Sequence, residues 1–338
     1  MNLFKIVFLM TLFMGTMISV SSFTWLGTWM GLEINLLSFI PLLKKKNCPY
    51  SSESSIKYFL VQALASSVFF LSIMMIMMES SMINESIMNP TLLMIINSAL
   101  LTKMGAAPFH FWFPEVMNGL TWINSLILMT WQKIAPMMIL SYTMKLSEYI
   151  MFIIIMCSII GSIGGLNQTS LRKILAFSSI NHIGWMISSF LMNEFIWMIY
   201  FSIYSIISVT LILMLNSLNV FQLKQMFVMM SKSSMIKFSM MINLLSLGGL
   251  PPFLGFFPKW MIIQQLSKSY ILLILVMIMM TMITLFFYLR ITYSSLIMSH
   301  NELNFNPLPT DQITNLNFIS SFISITGLAI CTLIFNFI

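Results

Sequence analysis

Three lysines, one glutamate and one histidine sit where a chain this apolar has least use for them. Lys103, Lys133 and Lys259 fall well inside long apolar stretches, as does Glu33 in GTWMGLEINLLSF. A lysine at mid-membrane costs at least ~2.5–3.5 kcal/mol on insertion scales, so each must lie against protein, water or a counter-charge. Burial disfavours an ammonium and a neighbouring carboxylate favours it. A buried lysine whose partner moves therefore gains and loses a proton, which is what a proton relay requires. The competing reading is a static Lys–Glu pair that fixes packing. Glu33, read as the only acid inside a span, cannot neutralise three lysines, and that counts against a purely structural role for the set. His182, in LRKILAFSSINHIGWM, lies four residues after Ser178 on one helical face, with Ser179 on its flank. Histidine titrates near physiological pH and passes protons between its two nitrogens. A buried histidine that is merely hydrogen-bonded is the alternative. His110, just after Pro108, is a lesser candidate.

Two of the lysines accompany helix breakers. LLTKMGAAPFHFWFPE carries Gly105 and Pro108 beside Lys103, and GGLPPFLGFFPKW carries Pro251 and Pro252 before Lys259. A proline inside a membrane helix frees backbone carbonyls that must find partners in hydrocarbon. Freed carbonyls plus an ammonium make a polar, hydratable pocket; a plain kink is the other reading. Tyr58, Gln62 and Ser66, and Tyr204, Ser205 and Ser208, are further polar residues that hold water or pack helices.

The elements that must position these groups follow from composition. Only 7% of residues are charged and 59% are hydrophobic, with mean hydropathy +0.94, whereas a soluble domain is about 25% charged. Lipid must therefore be the solvent for most of the surface, and the chain is expected to be an all-α polytopic membrane protein forming one membrane unit. Eleven spans are predicted, near 3–21, 24–43, 56–78, 90–117, 121–144, 148–166, 171–191, 195–221, 236–266, 270–291 and 316–337, the fourth and ninth interrupted. Lys5, Lys44, Lys45, Lys46, Lys57, Arg172, Lys173, Lys224, Lys232 and Lys237 belong to the N-terminus and the loops after even-numbered spans, against Lys145 and Lys268 on the other side. This bias puts the N-terminus on the positive-inside face and the C-terminus opposite. Arg290 is read as a helix-end residue snorkelling to headgroups.

The two interrupted spans are five apart. If spans one to five and six to ten are equivalent, an odd number of helices makes the second set run upside down. Inverted repeats with matching broken helices are a transporter pattern, the break marking the ion site. The expected division is 1–145 for the first repeat, 146–298 for the second, and 299–338 for a loop and last helix.

Other chemistry is disfavoured. Cys48, Cys157 and Cys331 lack metal or disulfide spacing. No GxGxxG, cysteine cluster or haem-like histidine pair is present, so no catalytic, metal or cofactor-binding residue is assigned. A net charge of +7 over 338 residues makes no nucleic-acid surface. No cleavable signal or transit peptide precedes the first span, so the spans themselves are expected to direct insertion. The 36 methionines, with plentiful Asn, Ile and Phe, fit the codon bias of an AT-rich organelle genome.

LLTKMGAAPFHFWFPEV, TWQKIAP, LRKILAFSSINHIGWM and GGLPPFLGFFPKW together resemble the chain 2 family of animal mitochondrial NADH–ubiquinone oxidoreductase, the antiporter-like core subunits of the respiratory complex I membrane arm. The likeness runs the length of the chain. It implies an antiporter-like fold lacking its first three helices, in the mitochondrial inner membrane, with the N-terminus on the matrix side and the C-terminus facing the intermembrane space. By motif it makes Glu33 the glutamate beside the first broken helix, Lys103 the lysine on that helix, Lys133 a bridging lysine, His182 a polar position on the central axis, and Lys259 the lysine on the second broken helix. The implied role is proton translocation coupled to NADH:ubiquinone electron transfer in other subunits. FMN, iron–sulfur clusters and ubiquinone would be bound elsewhere in the complex. Phospholipids such as cardiolipin, other membrane-arm core subunits and accessory subunits would be neighbours. Two rivals remain: a stand-alone cation/proton antiporter, for which a mid-membrane carboxylate pair is lacking, and a structural or assembly subunit without its own proton channel.

Overall fold

The computed structural model describes residues 3–45, 48–80, 89–144, 147–232 and 234–297, with 322 and 325–327. The described residues are helical throughout, and a lone bridge between Ser170 and Gln222 is their only strand-type pairing. The predicted eleventh span, 316–337, falls almost wholly outside them, as do Lys46 and Lys145. The chain divides into two compact units, 1–156 and 157–338.

In the first unit, α1 (Leu3–Ser21) and α2 (Trp25–Leu43) form a tight hairpin in which Thr24 caps α2 by accepting from Gly27 N at 3.2 Å. Their backbones nearly touch: a Cβ on Gly31 would lie 2.5 Å from Ser19 N. Small residues allow such approach where lipid supplies no hydrophobic drive between helices. α3 (Pro49–Ser80) begins earlier than expected, because the polar stretch after the lysine run is itself helical, with Pro49 opening the first turn. The fourth span is α4 (Pro90–Met104), a break, and α5 (Trp112–Gly119); α3 packs against both halves. The fifth span is also divided, into α6 (Trp122–Met129) and α7 (Trp131–Tyr142), a break the sequence reading did not place. At the junction the Thr130 hydroxyl donates to Leu126 O at 2.8 Å, the bond by which threonine bends membrane helices. α7 packs on α4 and α1.

α8 (Ser147–Ile163) leads into the second unit. α9 (Leu171–Phe190) has nearly every residue from Ile174 to Ser189 buried. That explains its polarity, since no face meets lipid and its serines, Asn181 and His182 are shielded by protein. α10 (Glu194–Leu218) packs against α9 and against both halves of the ninth span, α12 (Ser234–Gly248) and α13 (Phe256–Leu266). The supposed loop before that span contains a short amphipathic helix, α11 (Leu223–Lys232). α14 (Ile271–Ile297) outlasts its predicted limit, so Arg290 lies almost two turns before the helix end, not at it. Six of these segments are long and apolar enough to cross a membrane: α1, α2, most of α3, α6 with α7, α10 and α14.

Candidate functional site: two broken helices and their buried lysines

Both breaks close in the same way. Gly105 has φ +74° and its N–H reaches Leu101 O and Thr102 O, while Ala106 N bonds Leu101 O at 3.0 Å. Gly249 has φ +83°; its N–H reaches Leu245 O and Ser246 O, and Leu250 N bonds Leu245 O at 3.3 Å. This is the Schellman closure, in which a left-handed residue lets the chain satisfy the last carbonyls and leave the helix. Each is followed by prolines, Pro108 after Gly105 and Pro251–Pro252 after Gly249, which keep the helix from resuming at once. Gly249 was not singled out from the sequence. A glycine just before a proline pair was the available signal.

The breaks leave carbonyls in the interior, and polar side chains meet them. Thr102 O accepts from Trp112 Nε1 at 3.0 Å and Lys103 O from Gln62 Nε2 at 3.1 Å. Gly248 O accepts from Lys259 Nζ at 2.7 Å. Lys259 belongs to the first turn of α13, where the helix dipole disfavours a cation, but its side chain reaches back to the C-terminal carbonyl of α12, where a cation is favoured. Lys103 lies in the last turn of α4, at the equivalent negative end. The two lysines thus stand on opposite sides of their breaks in sequence and serve the same kind of helix end.

A Cβ on Gly249 would lie 3.0 Å from Lys259 Nζ, in a backbone conformation that costs an L-residue about 1–2 kcal/mol. Gly249→Ala is therefore expected to lower the thermal unfolding midpoint and displace Lys259, whereas Leu250→Ala should leave Lys259 in place. Differential scanning and proton-coupled turnover of the same preparation would check this.

Lys103 is 7% exposed, and its Nζ, 5.9 Å from the Phe69 ring centroid, has no hydrogen-bond partner among the described residues. The half-buried Glu33 acts on it electrostatically from α2 without forming an ion pair. Lys133, 1% exposed in the first turn of α7, places Nζ 5.8 Å from the ring centroid of Phe113 on α5. Its neighbour Gln132 donates to Asn35 Oδ1 on α2 at 2.8 Å and lies 3.5 Å from Tyr58 Oη on α3. Asn35 and Gln132 were missed in the sequence, since each is an isolated amide in an apolar run. Glu115 corrects the count of acids: it lies within the fourth span and pairs with Lys57 at 2.8 Å, Glu53 adding a contact at 3.0 Å. That cluster is largely exposed and separate from the buried lysines.

In the second unit the hydroxyls of Ser178 and Ser179 donate to their own helix, at Leu175 O and Ala176 O. His182 instead shares a 2.8 Å hydrogen bond, through Nδ1, with Tyr200 Oη on α10, and its ring lies 5.0 Å from that of Tyr204. Tyr200, Tyr204 and Tyr288 are buried. Tyr204 interacts with the other two, and Tyr288 lies near Ser178. A cavity of about 10 Å³ touches His182, Tyr200, Ser246, Gly255 and Pro258. It is at the threshold for one water molecule, and it joins the histidine to the second break one residue from Lys259. His110 is 7% exposed; its Nδ1–H donates to Pro108 O at 3.2 Å. It therefore belongs to the first break.

These features define a helical membrane protein built on two broken helices with a buried lysine at each break. The sequence profile described as "NADH:quinone oxidoreductase/Mrp antiporter, TM" matches residues 22–284. Over 97% of both chains this one is 50% identical to NADH-ubiquinone oxidoreductase chain 2 of Anopheles gambiae. To the Locusta migratoria protein of the same name it is 52% identical, over 89% of this chain and 88% of that one. A chain of respiratory complex I from Thermus thermophilus superposes with a TM-score of 0.83 at 19% identity, covering 96% of this chain and 79% of the other. The chain belongs to the NADH:quinone oxidoreductase/Mrp antiporter transmembrane family.

Proposed function

We propose that this chain is a core membrane-arm subunit of a mitochondrial NADH–ubiquinone oxidoreductase, translocating protons while electron transfer proceeds in other subunits. The observation that carries the reading is the buried Nζ of Lys103, free of hydrogen bonds among the described residues and under the influence of Glu33, at a helix break with its own polar partners. A merely structural lysine would be paired, because an unsatisfied buried ammonium is costly. In the proposed cycle, ionised Glu33 holds the proton on Lys103. When that interaction weakens, the proton passes through water toward Lys133, and in the second unit His182 hands charge to Lys259. Moving one charge against roughly 150–200 mV requires about 3.5–4.6 kcal/mol. Loss of a compensating carboxylate beside a buried ammonium supplies energy of that order.

The same reading holds that 1–145 and 146–298 are inverted five-helix repeats and that 299–338 completes an eleven-span unit. The similar closure of the two breaks supports it. So does the packing of a single long helix, α3 or α10, against both halves of each broken span. It places the protein in the inner mitochondrial membrane with the N-terminus in the matrix. Further core and accessory subunits and phospholipids would surround it, with FMN, iron–sulfur clusters and quinone held by other chains.

The test is the ratio of protons translocated to electrons transferred in sealed vesicles, for variants in which Lys103 or Lys259 becomes methionine. Normal assembly with an unchanged ratio and rate would leave only a structural role. Tyr200→Phe gives a finer check. Removing the hydroxyl leaves His182 Nδ1 without that partner, so coupled turnover should fall roughly tenfold, with an increased solvent deuterium isotope effect. A packing role alone would leave the isotope effect at its original value.

A further inference from the structure

The fifth span divides at Thr130, and the turn that follows carries Lys133. Because the helix is interrupted there, the direction of the first turn of α7 is not fixed by α6, and contacts to other helices must set it. Three consecutive residues supply such contacts, each to a different element. The Trp131 ring meets that of Phe13 on α1 edge-on, with centroids 4.4 Å apart. Gln132 Nε2 donates to Asn35 Oδ1 on α2 at 2.8 Å. Lys133 Nζ lies 5.8 Å from the ring centroid of Phe113 on α5. Ring contacts tolerate some sliding and rotation, whereas a hydrogen bond weakens steeply once its angle departs from the optimum. The amide pair is the directional contact of these three.

Both members of the pair are well placed for that task. Asn35 is buried, and its backbone is held against α1, where a Cβ on Gly15 would lie 2.9 Å from Asn35 N. It stands two residues after Glu33 on α2, and Gln132 immediately precedes Lys133. Tyr58 Oη on α3, 3.5 Å from Gln132 Oε1, makes a longer third contact. One turn further along α3, Gln62 donates to Lys103 O. α2 also grips the other half of the divided span, since Asn124 Nδ2 on α6 donates to Leu42 O at 2.7 Å. From Asn35 to Leu42, and from Gln132 back to Asn124, is roughly 10 and 12 Å of helix, so the two ties span the break at matching distances. α2 thus acts as a splint across it. An amide has no proton to release near neutral pH, so neither Asn35 nor Gln132 is itself a relay group. Plain helix-to-helix adhesion is the simpler role for such amides in a membrane. Their place beside a break, next to Glu33 and Lys133, points further.

We propose that Asn35 and Gln132 are positioning residues, whose hydrogen bond holds the first turn of α7, and with it the Lys133 ammonium, against the helix that carries Glu33. This rests on the relay reading above and adds that the path from Lys103 to Lys133 keeps its length only while the amide bond is made. Proton transfer needs donor and acceptor within hydrogen-bond reach, directly or through one water, so a displaced turn slows transfer without altering any relay group. The test uses the assembled complex in sealed vesicles, with Gln132→Met, Asn35→Leu, their double variant and, in parallel, Lys133→Met. Losing one amide strands the other as a buried unsatisfied group, whereas replacing both partners is nearly neutral. Accumulation should therefore fall in each single variant and recover in the double. Coupled turnover per assembled complex should stay lowered on the order of tenfold in all three, with an increased solvent deuterium isotope effect. Recovery of turnover along with accumulation in the double variant, or an unchanged isotope effect in all three, would overturn the proposal and leave the pair as helix adhesion. Lys133→Met separates this inference from the relay itself. If it lowers the ratio of protons to electrons while the amide variants turn over normally, the positioning role fails and the relay stands. If it leaves the ratio unchanged, the relay through Lys133 fails and the positioning role with it.

Discussion

Lys259→Met is expected to abolish most proton-coupled turnover while leaving a normally assembled protein. The two halves of this expectation have separate causes. Lys259 is 6% exposed, and its ammonium is held by Gly248 O, the last carbonyl of α12. Methionine keeps the length and apolar stem and removes the charge. Replacing a buried charge by an apolar side chain of similar volume is often neutral or stabilising, because the desolvation cost disappears with the charge. The orphaned Gly248 carbonyl returns about 1–3 kcal/mol of penalty, partly relieved if water occupies the space left by Nζ. Catalytically the loss is larger, since removing a positioned proton-transfer group costs about 10²–10⁴ in rate. Lys259→Arg sharpens the distinction. It preserves the charge and the reach to Gly248 O, but its guanidinium does not release a proton in the working pH range. If Arg restored coupled turnover, the lysine would serve as a fixed charge and the relay would have to run elsewhere. The measurement is proton uptake per electron pair, with assembly checked by native electrophoresis.

Much of this site was legible in the sequence because charge is so scarce there. With 7% charged residues, a lysine inside an apolar run stands out, and the three lysines singled out are all buried. Gly105 and the prolines marked the breaks for the same reason, since residues that oppose helix rarely serve a plain membrane span. Neutral polar groups were harder to rank. Tyr58 and Gln62 were noticed and do contact the interior network, but Asn35, Gln132 and Tyr200 look like ordinary single polar residues until the helices are packed. The Ser178–His182 spacing pointed to a partner on the same helix, yet serine in a helix readily bonds its own i−3 carbonyl, and Tyr200 on α10 supplies a bond to the histidine. The division of the fifth span at Thr130 and the helical nature of 223–232 were hidden too. The first depends on one hydroxyl–carbonyl bond, and the second on an amphipathic pattern too short to separate from a polar loop.

Glu33 and Lys103 should respond unequally to substitution, and the inequality tests how they are coupled. Lys103 is buried with an Nζ that makes no hydrogen bond among the described residues, while Glu33 is half-buried on α2. Removing the carboxylate by Glu33→Gln leaves a desolvated ammonium without the charge that compensates it. The cost of an unpaired buried charge, about 3–5 kcal/mol at most, then falls either on folding or on the proton, which the lysine releases. Removing the lysine by Lys103→Met takes away a buried charge and leaves only the half-buried Glu33 carboxylate, which makes no ion pair with it, so assembly should be nearly normal. Proton-coupled turnover should fall strongly in both, but accumulation of the assembled protein should fall mainly in Glu33→Gln. The double variant decides the coupling: with the ammonium gone, Glu33→Gln has nothing left to unbalance, so the Lys103→Met background should restore accumulation. Single and double effects that merely add would show that the two groups do not sense each other. That would remove the modulating role of Glu33 from the relay while leaving Lys103 to be judged on its own variant. Because accumulation and turnover are read separately, a fall in turnover alone in Glu33→Gln would mean that the lysine sheds its proton instead of destabilising the fold, which is the behaviour a relay needs.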